Sequence, residues 1–125
     1  MSDELQGIVV SHAQLAEAMV AAVGEITGQR DALVPVSNEG CSRALLTGRL
    51  SEAIGARPAV VFVDLPGGSC LQAALAYLRS HRDVAVVAGV NLAMLVDFVY
   101  HRDLTPTGAA QRAGEVGGRA VRVVE

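Results

Sequence analysis

The chain contains no lysine and no tryptophan, and only two phenylalanines, two tyrosines and two cysteines. Without lysine the phosphate-cradling pattern G-x-x-x-x-G-K-[ST] is excluded, and no G-x-G-x-x-G follows the first apolar run to mark a dinucleotide site. The acidic pair of an aspartyl-phosphate receiver is also missing, because Ser11-His12 stands in its place. Gly67-Gly68-Ser69-Cys70-Leu71 does not supply the G-x-S-x-G of a serine hydrolase. Cys41 and Cys70 lack C-x-x-C spacing, so they read as free thiols in a reducing compartment, with no metal and no cofactor expected. No apolar run approaches the roughly 20 residues of a membrane span, and Met1-Ser2-Asp3-Glu4 is too acidic to open a signal peptide. A cytoplasmic protein without direct membrane insertion is expected. A net charge of −3, with no basic aromatic patch, gives no reason to invoke nucleic acid.

What is present is aliphatic. Apolar residues make up 51% of the 125, which excludes disorder and is enough for one domain, residues 1–125, with a core of its own. With so few rings that core must be Val, Leu, Ile and Ala, which suits a buried parallel sheet. Apolar runs alternate with helical patterns throughout. Strands are expected at Gly7 to Val10, Ala32 to Val36, Ala59 to Val63 and Val84 to Ala88. Between them, Leu15, Met19, Val20, Val23 and Ile26 recur at helical spacing, stopped by Gly28. Ser42 can cap a helix burying Leu46, Leu50 and Ile54 that ends at Gly55. Leu71, Leu75 and Leu78 mark a third helix, and Asn91 caps a fourth with Leu92, Leu95, Val96 and Val99 on one face. Pro106 to Gly117 reads as a last, alanine-rich helix and Arg119 to Val124 as a final strand. Right-handed crossovers then give a three-layer α/β/α fold with a mainly parallel sheet.

In such sheets ligands bind beyond the carboxyl ends of the strands, where strand order reverses. If the order is 2-1-3-4, His12 after the first strand and Asp64 after the third face each other across that crevice. A carboxylate that accepts from one imidazole nitrogen fixes the tautomer and makes the other nitrogen a nucleophile. Gly67-Gly68-Ser69 opens a helix whose free N–H groups, with the Ser69 hydroxyl, can hold an anion, and Ser11 offers a further donor. Together they suit phosphoryl transfer to and from histidine. Each part has a plainer reading: a strand-end His is often a surface residue, Asp commonly leads into a helix, and Pro-Gly-Gly is a turn signal. His81 and His101 sit at polar helix ends and read as solvated.

Three stretches, Gly7-Ile8-Val9-Val10-Ser11-His12, Val61-Phe62-Val63-Asp64-Leu65-Pro66-Gly67-Gly68-Ser69 and Val87-Ala88-Gly89-Val90-Asn91-Leu92-Ala93-Met94-Leu95, resemble a known family. It is the IIA component of the mannose family of the bacterial phosphoenolpyruvate-dependent sugar phosphotransferase system (PTS). The resemblance covers nearly the whole chain and implies that His12 is phosphorylated, with Asp64 orienting the ring and Ser69 and its neighbouring backbone near the phosphate. The donor would be the histidine-containing phosphocarrier protein and the acceptor a separate IIB component. The resemblance also implies a C-terminal antiparallel edge strand, for which Arg119 to Val124 is the candidate, and a homodimer that can exchange it. Ala13, Cys70 and Ala93 depart from the family, which often has Gly, Pro and Pro at those places. Three other readings stand beside this one: a regulatory module whose His12 phosphorylation signals without transport, the phosphocarrier of a dihydroxyacetone kinase system, and a binding domain with an inert His12.

Overall fold

The computed structural model describes residues 4–125; Met1-Ser2-Asp3, part of the acidic start that argued against a signal peptide, lies outside the described residues. The elements in chain order are β1 (Gln6–Ser11), α1 (Leu15–Thr27), β2 (Leu33–Ser37), α2 (Arg43–Ile54), β3 (Ala59–Val63), α3 (Ser69–Leu78), β4 (Val84–Ala88), α4 (Leu92–Val99) and α5 (Pro106–Arg119). The strands form one sheet in the order β2-β1-β3-β4, with every pairing parallel. β-Branched runs favour these strands, and crossover helices bury both of their faces, so alternation of polar and apolar residues is lost.

The pleat divides the core in two. Val9, Val60 and Phe62 point to one face, where they meet Met19 and Val23 of α1, Leu95 and Phe98 of α4, and Ala113 of α5. Ile8, Val10, Val61 and Val63 point to the other and meet Leu46, Leu50 and Ile54 of α2 and Ala73, Ala74 and Tyr77 of α3. Phe62 and Phe98 pack edge to face with centroids 5.1 Å apart, an arrangement favoured by the ring quadrupole.

Local signals set the helix ends. Ser42 caps α2 by accepting from Leu45 N–H at 3.2 Å, and Asn91 caps α4 by accepting from Met94 N–H at 3.0 Å. Gly28 closes α1 in the left-handed conformation, φ 75°. Among the described residues no helix is long and apolar enough to cross a membrane.

Two expectations need correction. The final strand does not form: α5 continues through Arg119, and the segment after it is irregular, with Val121 77% and Val123 90% exposed. A strand needs a hydrogen-bonding neighbour, and this segment pairs with none of the four strands. Two helices are also rotated from the faces their leucines suggested. α1 leaves Leu15 and Ile26 exposed, whereas α3 turns Cys70, Ala73, Ala74 and Tyr77 inward and its leucines sideways. The small residues on this sheet-facing stripe, Cys70, Ala73 and Ala74, share one buried cluster with Val61 and Val63 of β3.

Phe62→Ala should lower unfolding free energy by about 3–5 kcal/mol in urea titration. Leu45→Ala, at a position 58% exposed, should stay within about 0.5 kcal/mol of the parent. Equal losses at both would contradict this placement of the core.

Candidate active site at the carboxyl ends of β1 and β3

Parallel register fixes the site. Val10 pairs with Val63 and Ser11 with Ser37, so the next residues along β1 and β3 leave the sheet side by side. His12 and Asp64 emerge at that point, between strands whose crossovers run to opposite faces. One carboxylate oxygen, Asp64 Oδ2, accepts from the His12 backbone N–H at 2.9 Å and lies 2.8 Å from ring Nδ1. An ionised carboxylate can only accept, so the ring proton belongs on Nδ1 and Nε2 carries the free lone pair. The Asp64 side chain is 7% exposed and that of His12 43%, so the carboxylate is anchored in protein while the ring meets solvent.

The loop after His12 is held in an unusual shape. Ala13 has φ 52°, a left-handed conformation that a Cβ disfavours. Its N–H donates to Asn38 Oδ1 at 3.2 Å, and its carbonyl accepts from the Ser37 hydroxyl at 2.6 Å. Asn38 N–H also donates to the Ser11 carbonyl at 3.0 Å. Arg49 steadies this clamp from α2, donating to the carbonyls of Ser37 and Glu39 at 3.1 and 3.3 Å.

Over the ring stands the start of α3. Gly68 is its N-cap at φ 88°, where glycine is needed, and no side chain caps the first turn. The N–H groups of Ser69, Cys70 and Leu71 are therefore the orphan donors of a helix N-terminus, aligned with its dipole. A Cβ built on Gly68 would lie 3.8 Å from His12 Nε2, which places Gly68 against the nucleophilic edge of the ring. Ser69 Oγ accepts from Asn38 Nδ2 at 3.3 Å, a bond that does not use the serine's own hydrogen.

Ser11 is the exception among the expected donors. Its side chain is fully buried, with Oγ accepting from Ala16 N–H at 2.6 Å and donating to the His12 carbonyl at 3.3 Å. The hydroxyl ties down the first turn of α1 and does not reach the anion position, because side chains along β1 alternate and this one points into the core. His81 and His101 lie elsewhere. His81 stacks on Tyr77 with centroids 3.8 Å apart, and His101 pairs with Asp97 at 3.4 Å.

Two neighbours carried no sequence signal of their own. Asn38 looks like an ordinary loop residue, although its place just past the carboxyl end of β2 puts it in the same layer. Cys70 Sγ lies 3.9 Å from His12 Nδ1, and burial, helped by the Asp64 charge, pushes its thiol up to about 11, with a Ser69 hydrogen bond opposing. That thiol stays protonated and is a poor nucleophile at neutral pH.

The site is open. His12 and Asp64 line neither the cleft of about 420 Å³ along β2, bounded by Pro35, Ser37 and Arg49, nor a smaller one of about 250 Å³ at the opposite end of the strands. The His12 ring instead meets solvent directly, with its side chain 43% exposed.

Residues 7–113 match the family model EIIA-man, described as the PTS system fructose IIA component. The mannose/sorbose-specific IIA subunit of the phosphotransferase system from Enterococcus faecalis is similar at 30% identity and TM-score 0.82, over 98% of this chain and 96% of that one. A phosphotransferase system component EIIA from Streptococcus agalactiae superposes with TM-score 0.88 at 19% identity, over 95% and 96% of the two chains. The PTS IIA protein associated with the fucose utilization operon of Streptococcus pneumoniae gives TM-score 0.69 at 17% identity, over 96% and 93%. No curated protein matches in sequence.

Ala13→Gly should raise stability by roughly 0.5–1 kcal/mol, because glycine adopts positive φ without the Cβ cost. Asn38→Ala should speed hydrogen exchange of the Ala13 amide and leave that of Ala16, held by Ser11, unchanged. Slower or unchanged exchange at Ala13 would remove Asn38 from the clamp.

Proposed function

Because the chain belongs to the PTS fructose/mannose IIA family, we propose that it carries phosphate on His12 within a sugar phosphotransferase system. The observation that carries this reading is the His12–Asp64 pair, 2.8 Å apart, beneath the uncapped N-terminus of α3. The donor is the phosphohistidine of the histidine-containing phosphocarrier protein, and the acceptor is a IIB component. The whole chain acts as one domain, in the cytoplasm.

Transfer needs positioning and charge stabilisation more than covalent assistance. The lone pair of His12 Nε2 attacks phosphorus in line as the phosphorus–nitrogen bond of the donor histidine breaks, and that pair of electrons returns to the donor ring. Positive charge grows on the His12 imidazole while Nδ1–H remains bound to Asp64, whose negative charge offsets it. The phosphoryl oxygens meet the Gly67-Gly68-Ser69 turn: the first N–H groups of α3 and the Ser69 hydroxyl supply donors fixed before the reaction. The same steps in reverse deliver phosphate to the acceptor.

The surroundings suit protein partners. Leu15, Leu45 and Leu65 are 47%, 58% and 54% exposed, and each follows the carboxyl end of a strand, as His12 does. Exposed apolar side chains on the segments that follow the strand ends, the end of the sheet that carries the reactive ring, form the kind of surface on which another protein docks. The chain forms a homodimer, and residues 119–124, whose valines are exposed without a strand neighbour, together with the free edge of β4 are surfaces that can contribute to it.

Incubation with phosphoenolpyruvate, enzyme I and the phosphocarrier protein should introduce one acid-labile, base-stable phosphate. His12→Ala should abolish it, and His81→Ala and His101→Ala should retain it; full labelling of His12→Ala would refute the assignment. Asp64→Ala should slow acceptance roughly 10- to 150-fold, the effect of losing a charge-assisted bond of about 1.5–3 kcal/mol. A parent-like rate in a folded Asp64→Ala protein would remove that residue from the mechanism.

A further inference from the structure

Phosphoryl transfer leaves one buried ligand-bearing side chain at the site without a task. Cys70 Sγ, His12 Nδ1 and a carboxylate oxygen of Asp64 all lie within 4.8 Å of one another. Nδ1 is 3.9 Å from the sulfur and 2.8 Å from Asp64 Oδ2. Thiolate, imidazole and carboxylate bound tetrahedrally to zinc at its usual bond lengths stand roughly 3.3–3.7 Å apart. The two printed separations fall on either side of that range, so the imidazole and carboxylate must part by about half an ångström while the sulfur closes on the ring. Asp64 provides a second, independent indication. Its Oδ1 is sealed from solvent and accepts no hydrogen bond among the described residues, while the side chain as a whole is 7% exposed. A buried carboxylate oxygen without a donor is costly, and a cation supplies what it lacks.

We propose that His12, Asp64 and Cys70 form a Zn²⁺ site, and that the bound ion prevents His12 from accepting phosphate. The donor set selects the ion. A thiolate disfavours Mg²⁺ and Ca²⁺, and the mixture of nitrogen, oxygen and sulfur is one that Zn²⁺ takes readily. The half-exposed ring gives the ion a way in from solvent. On binding, the Cys70 thiol loses its proton to solvent and its sulfur pair coordinates the ion. The Nδ1 lone pair also coordinates, so the ring's proton passes to Nε2. No oxidation state changes. With Nε2 protonated, the lone pair that would attack phosphorus is gone, and ion and phosphoryl group exclude each other at one ring. The three ligands come from the ends of β1 and β3 and the first turn of α3, which is why cysteine spacing in the sequence carried no sign of the site.

The binding half stands by itself; the blocking half rests on the phosphocarrier reading. Co²⁺, a spectroscopic substitute for Zn²⁺, tests the first. One equivalent added to the full chain should produce a thiolate-to-cobalt charge-transfer band that Zn²⁺ abolishes. Cys41→Ser should keep the band, and Cys70→Ala and Cys70→Ser should lose it while melting as cooperatively as the parent. Absence of the band in the parent, or its survival in both Cys70 variants, overturns the site. For the second half, purified phosphorylated carrier protein is the donor. Zn²⁺ should suppress labelling of the parent at least tenfold and leave Cys70→Ala labelled, whereas equal suppression of both overturns the blocking. Failure of the phosphocarrier reading looks different, since labelling would then be absent without any metal and the cobalt band would be untouched.

Discussion

One carboxylate oxygen, Asp64 Oδ2, receives two N–H groups of His12, one from the main chain and one from the ring. Everything else at the site depends on that pair of hydrogen bonds. The main-chain bond fixes where β1 stops and the loop begins; the ring bond fixes which nitrogen faces outward. Neither is available unless β1 and β3 are adjacent, parallel and in register through Val10 and Val63. The order β2-β1-β3-β4 meets that requirement, because it makes β1 and β3 neighbours although a strand and two helices separate them in sequence. The aliphatic core thus has a chemical consequence. Bulky β-branched residues on both faces of the sheet hold the two strand ends level, and a slip of one residue would part the imidazole from its carboxylate.

The supporting loops divide the work. Ser37 and Asn38 hold the backbone of Ala13, Arg49 holds Ser37, and Asn38 reaches on to Ser69, so the His12 loop and the start of α3 are tied through one amide. Ser11 works from below by anchoring α1. A phosphocarrier has to accept and release the same group without trapping it. Fixed backbone dipoles and an exposed ring suit that demand, whereas a deep cationic pocket would bind phosphate too firmly.

Much of this was legible in the sequence because the signals were local. Apolar runs ending in Ser-His and in Asp-Leu-Pro-Gly-Gly marked two strand ends, and Ser42 and Asn91 marked helix starts that do form there. The structure brings His12, Asp64 and Ser69 into one layer. What the sequence hid depended on rotation or on distance. The inward turn of Ser11 follows from the pleat at a single residue, and alternation is invisible in a strand buried on both faces. α3 faces the sheet with alanines and Cys70, a choice its leucines masked. Asn38 acts through residues 25 and 31 positions away, with no pattern linking them. The segment 119–124 reads as a strand on composition, but a strand needs a hydrogen-bonded partner, and this segment pairs with none of the four strands.

Which nitrogen of His12 is free decides whether the ring can attack phosphorus, and nitrogen-15 NMR of the ring measures it directly. In the unphosphorylated protein near neutral pH, Nδ1 should carry the proton and Nε2 should resonate as an unprotonated nitrogen. After transfer, coupling to phosphorus should appear at Nε2, with Nδ1–H retained. A ring protonated on Nε2 before transfer, or phosphorus coupled to Nδ1 after it, would contradict the account.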